Sequence, residues 1–199
     1  RVESNGNANM LFVDGGNDEV GIGTNSPDGT LHVHTATSGT IAADGDCNDL
    51  VVENSNHGGI NILVPADKRA LLALGGPGDS IGAGFWWTAD DNKAQIGTAN
   101  ADAYLAFTSG SETEAMRIDA SQNVGIGNTS PSSYYTTNLV IGTSGSVGGI
   151  SIVNSTSGMG RIDFADGTSG SDQYMGGMQY NHNGDYLRFT ANGSERARI

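Results

Sequence analysis

Basic residues are scarce in this chain of 199 residues. Lys68 and Lys93 are the only lysines, the arginines are scattered, and the formal net charge is −13. Wrapping a phosphate backbone needs a basic stripe, so the composition argues against a nucleic-acid partner. Cysteine is limited to Cys47, which excludes an intrachain disulfide framework. Apolar residues come only in short runs, none near the length of a membrane-spanning helix, so no membrane insertion is expected. Catalytic signatures are missing too. No Gly-x-Ser-x-Gly elbow stands in a strand-turn-helix context, and carboxylate pairs such as Asp90-Asp91 fall in turns. No enzymatic activity and no catalytic residue is expected.

What is abundant is glycine, 31 residues, together with Ser, Thr, Asn and Asp. One glycine-containing stretch occurs twice. Residues 20–27 read Val-Gly-Ile-Gly-Thr-Asn-Ser-Pro and residues 124–131 read Val-Gly-Ile-Gly-Asn-Thr-Ser-Pro. An acidic turn precedes each copy, at Asp14-Gly15-Gly16 and at Asp119-Ala120-Ser121, and a short alternating run follows, at Leu31-His32-Val33 and Leu139-Val140-Ile141. The stretch resembles a dinucleotide loop only superficially. Ser26 and Ser130 stand where a third glycine belongs, and prolines rather than a helix pattern follow, so no cofactor is expected.

Strand signals dominate the rest. Apolar residues recur two apart at Leu31/Val33, Ile60/Ile62, Leu105/Phe107, Met116/Ile118, Ile150/Ile152, Ile162/Phe164, Leu187/Phe189 and Ala197/Ile199. Period-two alternation puts these on a buried face and turns the residues between them, among them His32, toward solvent. Asn183-Gly184 between two alternating runs is the strongest hairpin signal. Residues 67–74 contain good helix formers after Pro65, but their partner in the repeat alternates cleanly, which favours a strand.

The repeat extends beyond the opening stretch. Gly58-Gly59-Ile60-Asn61-Ile62 matches Gly148-Gly149-Ile150-Ser151-Ile152, 90 positions on; Tyr104–Thr108 matches Tyr186–Thr190, 82 on; Glu114–Ile118 corresponds to Glu195–Ile199, 81 on. The expected organisation is the end of a preceding unit and a junction at 1–27, a first unit with insertions at 28–131, and a second unit at 132–199. Both ends fall in phase with the repeat, so further units are expected on one or both sides. The fold class expected is all-β: repeated short-strand meanders, intertwined or packed as a homotrimeric fibre. Short strands spread among glycines bury little core per chain, and several copies around a common axis would cover their apolar faces and edges.

The string Glu114-Ala115-Met116-Arg117-Ile118-Asp119, continued by Asn123-Val124-Gly125-Ile126-Gly127 and Ser130-Pro131, resembles a motif of phage tail fibres and virion appendages. Its usual form is Gly-Ser-Glu-Arg-Met-Arg-Ile-Asp-x-x-Gly-Asn-Val-Gly-Ile-Gly-Thr-x-x-Pro. Residues 193–199 match its first half and Asp14 through Pro27 its second. The resemblance implies a homotrimeric β-structured stalk in the virion, outside the cell, that supports host attachment, with other virion proteins as neighbours. Two further readings stay open: a module that itself binds a host glycan or receptor, and the stalk of a bacterial filament or adhesin.

Three groups of side chains are candidate sites. Phe85, Trp86 and Trp87 form the dense aromatic cluster, a candidate glycan-contact patch, since aromatic faces stack on sugars; core packing is the alternative. His32 and His34 could join in holding a metal if a third ligand approached, against a plain solvent-facing strand. Asp44–Asp49 places oxygen ligands at alternate positions as calcium loops do, against an acidic turn. No metal is assigned to either.

Overall fold

The alternating pattern emerges as strand almost throughout. The computed structural model describes residues 2–4, 6–145 and 147–199. The described residues form four sheets and no α-helix, so the architecture is all-β. The first sheet holds β1 (Val2–Ser4), β2 (Asn7–Asp14), β3 (Glu19–Ile22), β4 (Leu31–His34) and β5 (Leu50–Glu53) in that order. A three-stranded sheet follows, of β6 (Arg69–Gly76), β7 (Asp79–Thr88) and β8 (Lys93–Thr98). The third joins β9 (Leu105–Ser109), β10 (Thr113–Ile118), β11 (Val124–Ile126) and β12 (Leu139–Ile141). The fourth is a meander of β13 (Met159–Phe164), β14 (Gly176–Asn181), β15 (Tyr186–Ala191) and β16 (Ser194–Arg198). Residues 67–74 thus contribute to strand β6, not to a helix. Among the described residues no helix is long and apolar enough to cross a membrane. The chain divides into two units, Arg1–Leu74 with Gly84–Ile96 and Gly75–Ala83 with Gly97–Ile199.

The two Val-Gly-Ile-Gly stretches are strands β3 and β11. Each has an antiparallel neighbour on one side, β2 or β10, and a parallel neighbour on the other, β4 or β12. The parallel partner arrives without an α-helix; a single 3-10 turn, Pro131–Ser133, lies in the second connection. Thr24 Oγ1 accepts the Ser26 N–H at 3.1 Å and Asn128 Oδ1 accepts the Ser130 N–H at 2.9 Å, each a side-chain turn that folds the strand's exit back on itself. The proline after each serine then keeps the chain from resuming the ladder. The glycines serve close approach. A Cβ at Gly21 would run into the Thr24 carbonyl oxygen, and one at Gly125 into that of Asn128. Gly23 and Gly127 sit at φ of 86° and 61°, which side chains disfavour.

Two antiparallel hairpins are built around arginine. Arg117 on β10 forks onto Glu114 at 2.6 and 2.7 Å, and its guanidinium lies 4.2 Å from the ring centre of Tyr104. Arg198 on β16 forks onto Glu195 at 2.9 and 2.8 Å and lies 4.1 Å from the ring centre of Tyr186. Asn183-Gly184 does lie in the β14–β15 hairpin, but its loop spans four residues between Asn181 and Tyr186, with Asp185 taking the positive φ. The two-residue turn is Asn192-Gly193 between β15 and β16, with φ of 52° and 66°, the mirror-image turn that matches strand twist.

The apolar pattern does not close into a core within one chain. Among the described residues Val140, at 9% exposure, is the one aliphatic side chain that is buried. The total accessible surface is 14180 Å². A folded monomer of 20.4 kDa would expose about 8,800 Å², and even two separate bodies of half that mass about 10,600 Å² together. Two expected strands are absent: among the described residues, those around Ile60/Ile62 and Ile150/Ile152 join no ladder, and their backbone groups have no strand partner. Ile162 and Phe164, expected on a buried face, are exposed. Alternation sorted the faces, but within the second unit the described residues leave Ile162, Phe164 and Met178 on the apolar face of the β13–β16 sheet exposed.

The glycine geometry makes a direct prediction. Gly23→Ala and Gly125→Ala should each lower unfolding free energy by about 2 kcal/mol or more, while Gly15→Ala, with open space around it, should stay within about 0.5 kcal/mol of wild type. Denaturant titration of the three variants measures this.

Candidate functional site

Strand alternation decides where the aromatic cluster points. Phe85 and Trp87 face one side of β7 and are exposed, whereas Trp86 faces the other and is half-buried, with no hydrogen-bond partner for its indole N–H. Phe85 and Trp87 therefore act together and Trp86 does not join them. They line an open hollow of about 460 Å³ with Ile60, Ile62, Leu63, Ala70, Leu71 and Leu72; Asn61 is its one polar side chain. A sugar site needs hydroxyl partners as well as an aromatic face. This lining offers apolar side chains instead, and suits apolar side chains in return.

The β13–β16 sheet has two chemically distinct faces. Register places Ile162 opposite Met178, Met178 opposite Phe189 and Phe189 opposite Ala197, so these four share one face. The other face carries a charged and polar row. Arg161 Nε meets Asp163 at 2.9 Å, Arg188 Nε donates to Gln179 Oε1 at 2.6 Å, and Arg188 approaches Glu195 at 3.8 Å. Gln179 is buried within that row. The polar face satisfies itself inside one chain, whereas Ile162, Phe164 and Met178 on the apolar face stay exposed. A second hollow, of about 320 Å³, opens over that apolar face, lined by Ile152, Gly160, Ile162, Met178, Tyr180 and Leu187 among others.

His32, expected toward solvent, is buried, at 1% exposure. The cause is Glu53, paired with His34 in the parallel β4–β5 ladder. Its Oε2 lies 3.2 Å from His32 Nε2 and 3.6 Å from His34 Nε2. Its Oε1 accepts the Ser38 N–H at 2.6 Å and the Thr37 and Ser38 hydroxyls at 3.0 and 3.1 Å. These donors, the Ser38 backbone N–H foremost, hold the Glu53 carboxyl below the usual glutamate range, and the nearby His34 contributes in the same direction. The carboxylate ties β4, β5 and the intervening loop together.

Asp28, His32 and Glu53 bring one possible ligand atom each within 4.8 Å of one another. The hydrogen bonding does not fit a metal on His32. The Asp28 N–H donates to His32 Nδ1 at 3.1 Å, which assigns the ring proton of the neutral imidazole to Nε2. A metal-binding Nε2 needs the opposite arrangement, with Nδ1 as the donor. His32 Nε2 therefore approaches Glu53 as a donor, bent away from a straight hydrogen bond. Asp44–Asp49 forms a tight turn. The Asp44 carboxylate accepts the Asp46 N–H at 2.9 Å, the Asp44 carbonyl accepts the Cys47 N–H at 3.1 Å, and Asp44, Asp46 and Asp49 are exposed.

Sequence reading missed Glu53 altogether, as it missed the tyrosine-arginine-glutamate clusters. Glu53 ends an ordinary apolar run and acquires its partners only when two short segments align in parallel. The chain matches no protein-family model, no characterised protein and no solved structure.

Carboxylate partners set the acid response. Glu53, Asp119 and Asp14 are held below their usual ranges, mainly by the backbone N–H groups of Ser38, Asn123 and Gly16 respectively; Arg117 lowers Glu114 and Arg198 lowers Glu195. A carboxylate with a depressed folded-state pKa stabilises fully above its unfolded value, and that contribution disappears as pH falls through the folded value. The Tm of wild type should therefore fall below about pH 4.5. Glu53→Gln should lower Tm at neutral pH and flatten the acid limb, as read by circular dichroism across a pH series.

Proposed function

We propose that this chain is a structural segment of a phage tail fibre or virion appendage, a homotrimeric β-rich stalk that supports host attachment and carries out no catalysis. The observation that carries the reading is exposed surface. The chain leaves at least about 3,500 Å² more accessible than folded bodies of its mass do, which is the size of an obligate interface. The excess includes Leu72, Leu74, Phe85, Ile162 and Phe164, side chains of strands whose faces have no second layer. A surface this apolar is covered in a stable protein, and copies of the same chain are the partners that a fibre always has at hand.

Modular construction supports the same reading. Strands β3 and β11 have the same pair of neighbours, and a side-chain turn and proline follow both. The β9–β10 and β15–β16 hairpins share their tyrosine, their forked arginine and a bulge at the same place, at Ala115 and Arg196. Their turns differ by one residue, Gly110-Ser111-Glu112 against Asn192-Gly193, which accounts for the offset falling from 82 to 81. Joints that recur with this detail suit a rod built from successive units. The glycan-binding alternative draws less support, because the hollow beside Phe85 and Trp87 is lined almost wholly by apolar groups.

Light scattering coupled to size exclusion at micromolar concentration tests the assembly. The expected mass is three times 20.4 kDa; a single-chain mass would overturn the reading. The double variant Phe85→Ser/Trp87→Ser should weaken the assembly and shift mass toward the monomer on dilution. Antibody labelling of intact particles, with binding confined to a fibre, tests the virion assignment.

A further inference from the structure

Residues 58–64 and 147–153 are the two places where strong period-two alternation fails to give a strand. Neither segment carries helix, turn or ladder, and neither makes a backbone–backbone hydrogen bond among the described residues. Their apolar side chains stand in the open. Ile60 and Leu63 are 66% and 82% exposed, and Ile150 and Val153 are 67% and 90% exposed. Each segment begins near a Gly-Gly pair, lines a hollow over an apolar sheet face, and precedes an edge strand, β6 or β13.

From this we infer that 58–64 and 147–153 are strands of the assembly, each hydrogen-bonded along its backbone to a neighbouring copy of the same chain. The inference rests on the self-association proposed above and specifies where the copies interlock. The argument is one of satisfaction. If a neighbouring copy covers Ile60, Ile62, Ile150 and Ile152, it also takes the intervening backbone out of water. A buried N–H or C=O without a partner costs roughly 1–3 kcal/mol, and seven consecutive residues in each segment would multiply that cost. The described residues offer those groups no backbone partner, so the covering copy must supply it. A strand ladder does so along the paired edge, and the sequence gives each segment one continuous apolar side: Ile60 and Ile62 in the first, Ile150 and Ile152 in the second, while Asn61 with Leu63 and Ser151 with Val153 share a mixed opposite side. Pairing between copies also removes the strand edges that would otherwise template open-ended aggregation.

Hydrogen–deuterium exchange on the assembled wild-type protein, with its mass measured in the same buffer, tests the inference. Peptides covering 58–64 and 147–153 should exchange at least about tenfold more slowly than free chain, although no protection arises from within one copy. Asn61→Pro and Ser151→Pro remove a ladder N–H and should release that protection and shift mass toward the monomer; Asn61→Thr and Ser151→Thr keep the N–H and should leave both readings unchanged. Free-chain exchange of these segments in a protein of trimer mass would overturn the inference and leave self-association standing. A monomer mass would overturn self-association itself. Slow exchange gained only on adding a host-surface extract would assign the strands to a different partner and also contradict the inference.

Discussion

One constraint governs this molecule: its apolar side chains outnumber the places within the chain to bury them. Strand alternation separates apolar from polar residues cleanly, as the fourth sheet shows with Ile162, Met178 and Phe189 on one face and Arg161, Gln179 and Arg188 on the other. A sheet sorted this way is stable only when a second layer covers its apolar face. The usual solution is another sheet or a helix of the same chain. Here the longer linking segments, such as 54–68, form neither helix nor strand, and Ile162, Phe164 and Met178 stay exposed.

What holds locally is therefore polar. Side chains of Thr24 and Asn128 fold the strand exits, Glu53 of β5 gathers partners from β4 and a loop, and arginine stacked on tyrosine pins two hairpins. Such contacts fix register and direction well. Exposed ion pairs of this sort add little free energy, so they cannot replace a core. In the proposed assembly the labour is divided: polar clusters would set the shape of each copy, and burial between copies would supply the stability. That division suits a rod, in which shape repeats along the axis while stability comes from the lateral packing of strands.

Much of the architecture was legible in the sequence, and the failures have a common cause. Val-Gly-Ile-Gly read as a strand with glycines for close approach, and the Thr24 and Asn128 carbonyls are what they approach. Residues 67–74 read as strand because their repeat partner alternates. Asn192-Gly193 carries the same Asn-Gly signal as Asn183-Gly184, and it is the pair that forms the two-residue turn between β15 and β16. The strands expected at Ile60/Ile62 and Ile150/Ile152 have no partner in the chain, and pattern alone does not say whose backbone a strand will meet. His32 went the other way. Alternation turned it toward solvent, but the parallel alignment of β4 with β5 set Glu53 against it, a pairing with no local trace in sequence. Of the aromatic cluster, the pattern revealed that Phe85 and Trp87 would share a face, but not which face was covered.

The central claim is that folding of this chain is completed by association with its own copies. The most direct measurement is the midpoint of thermal unfolding over a hundredfold range of protein concentration, followed by circular dichroism. If folding and association are coupled, mass action requires the midpoint to rise with concentration. A midpoint independent of concentration would mean that the single chain is stable with its apolar faces in water, and would contradict the account.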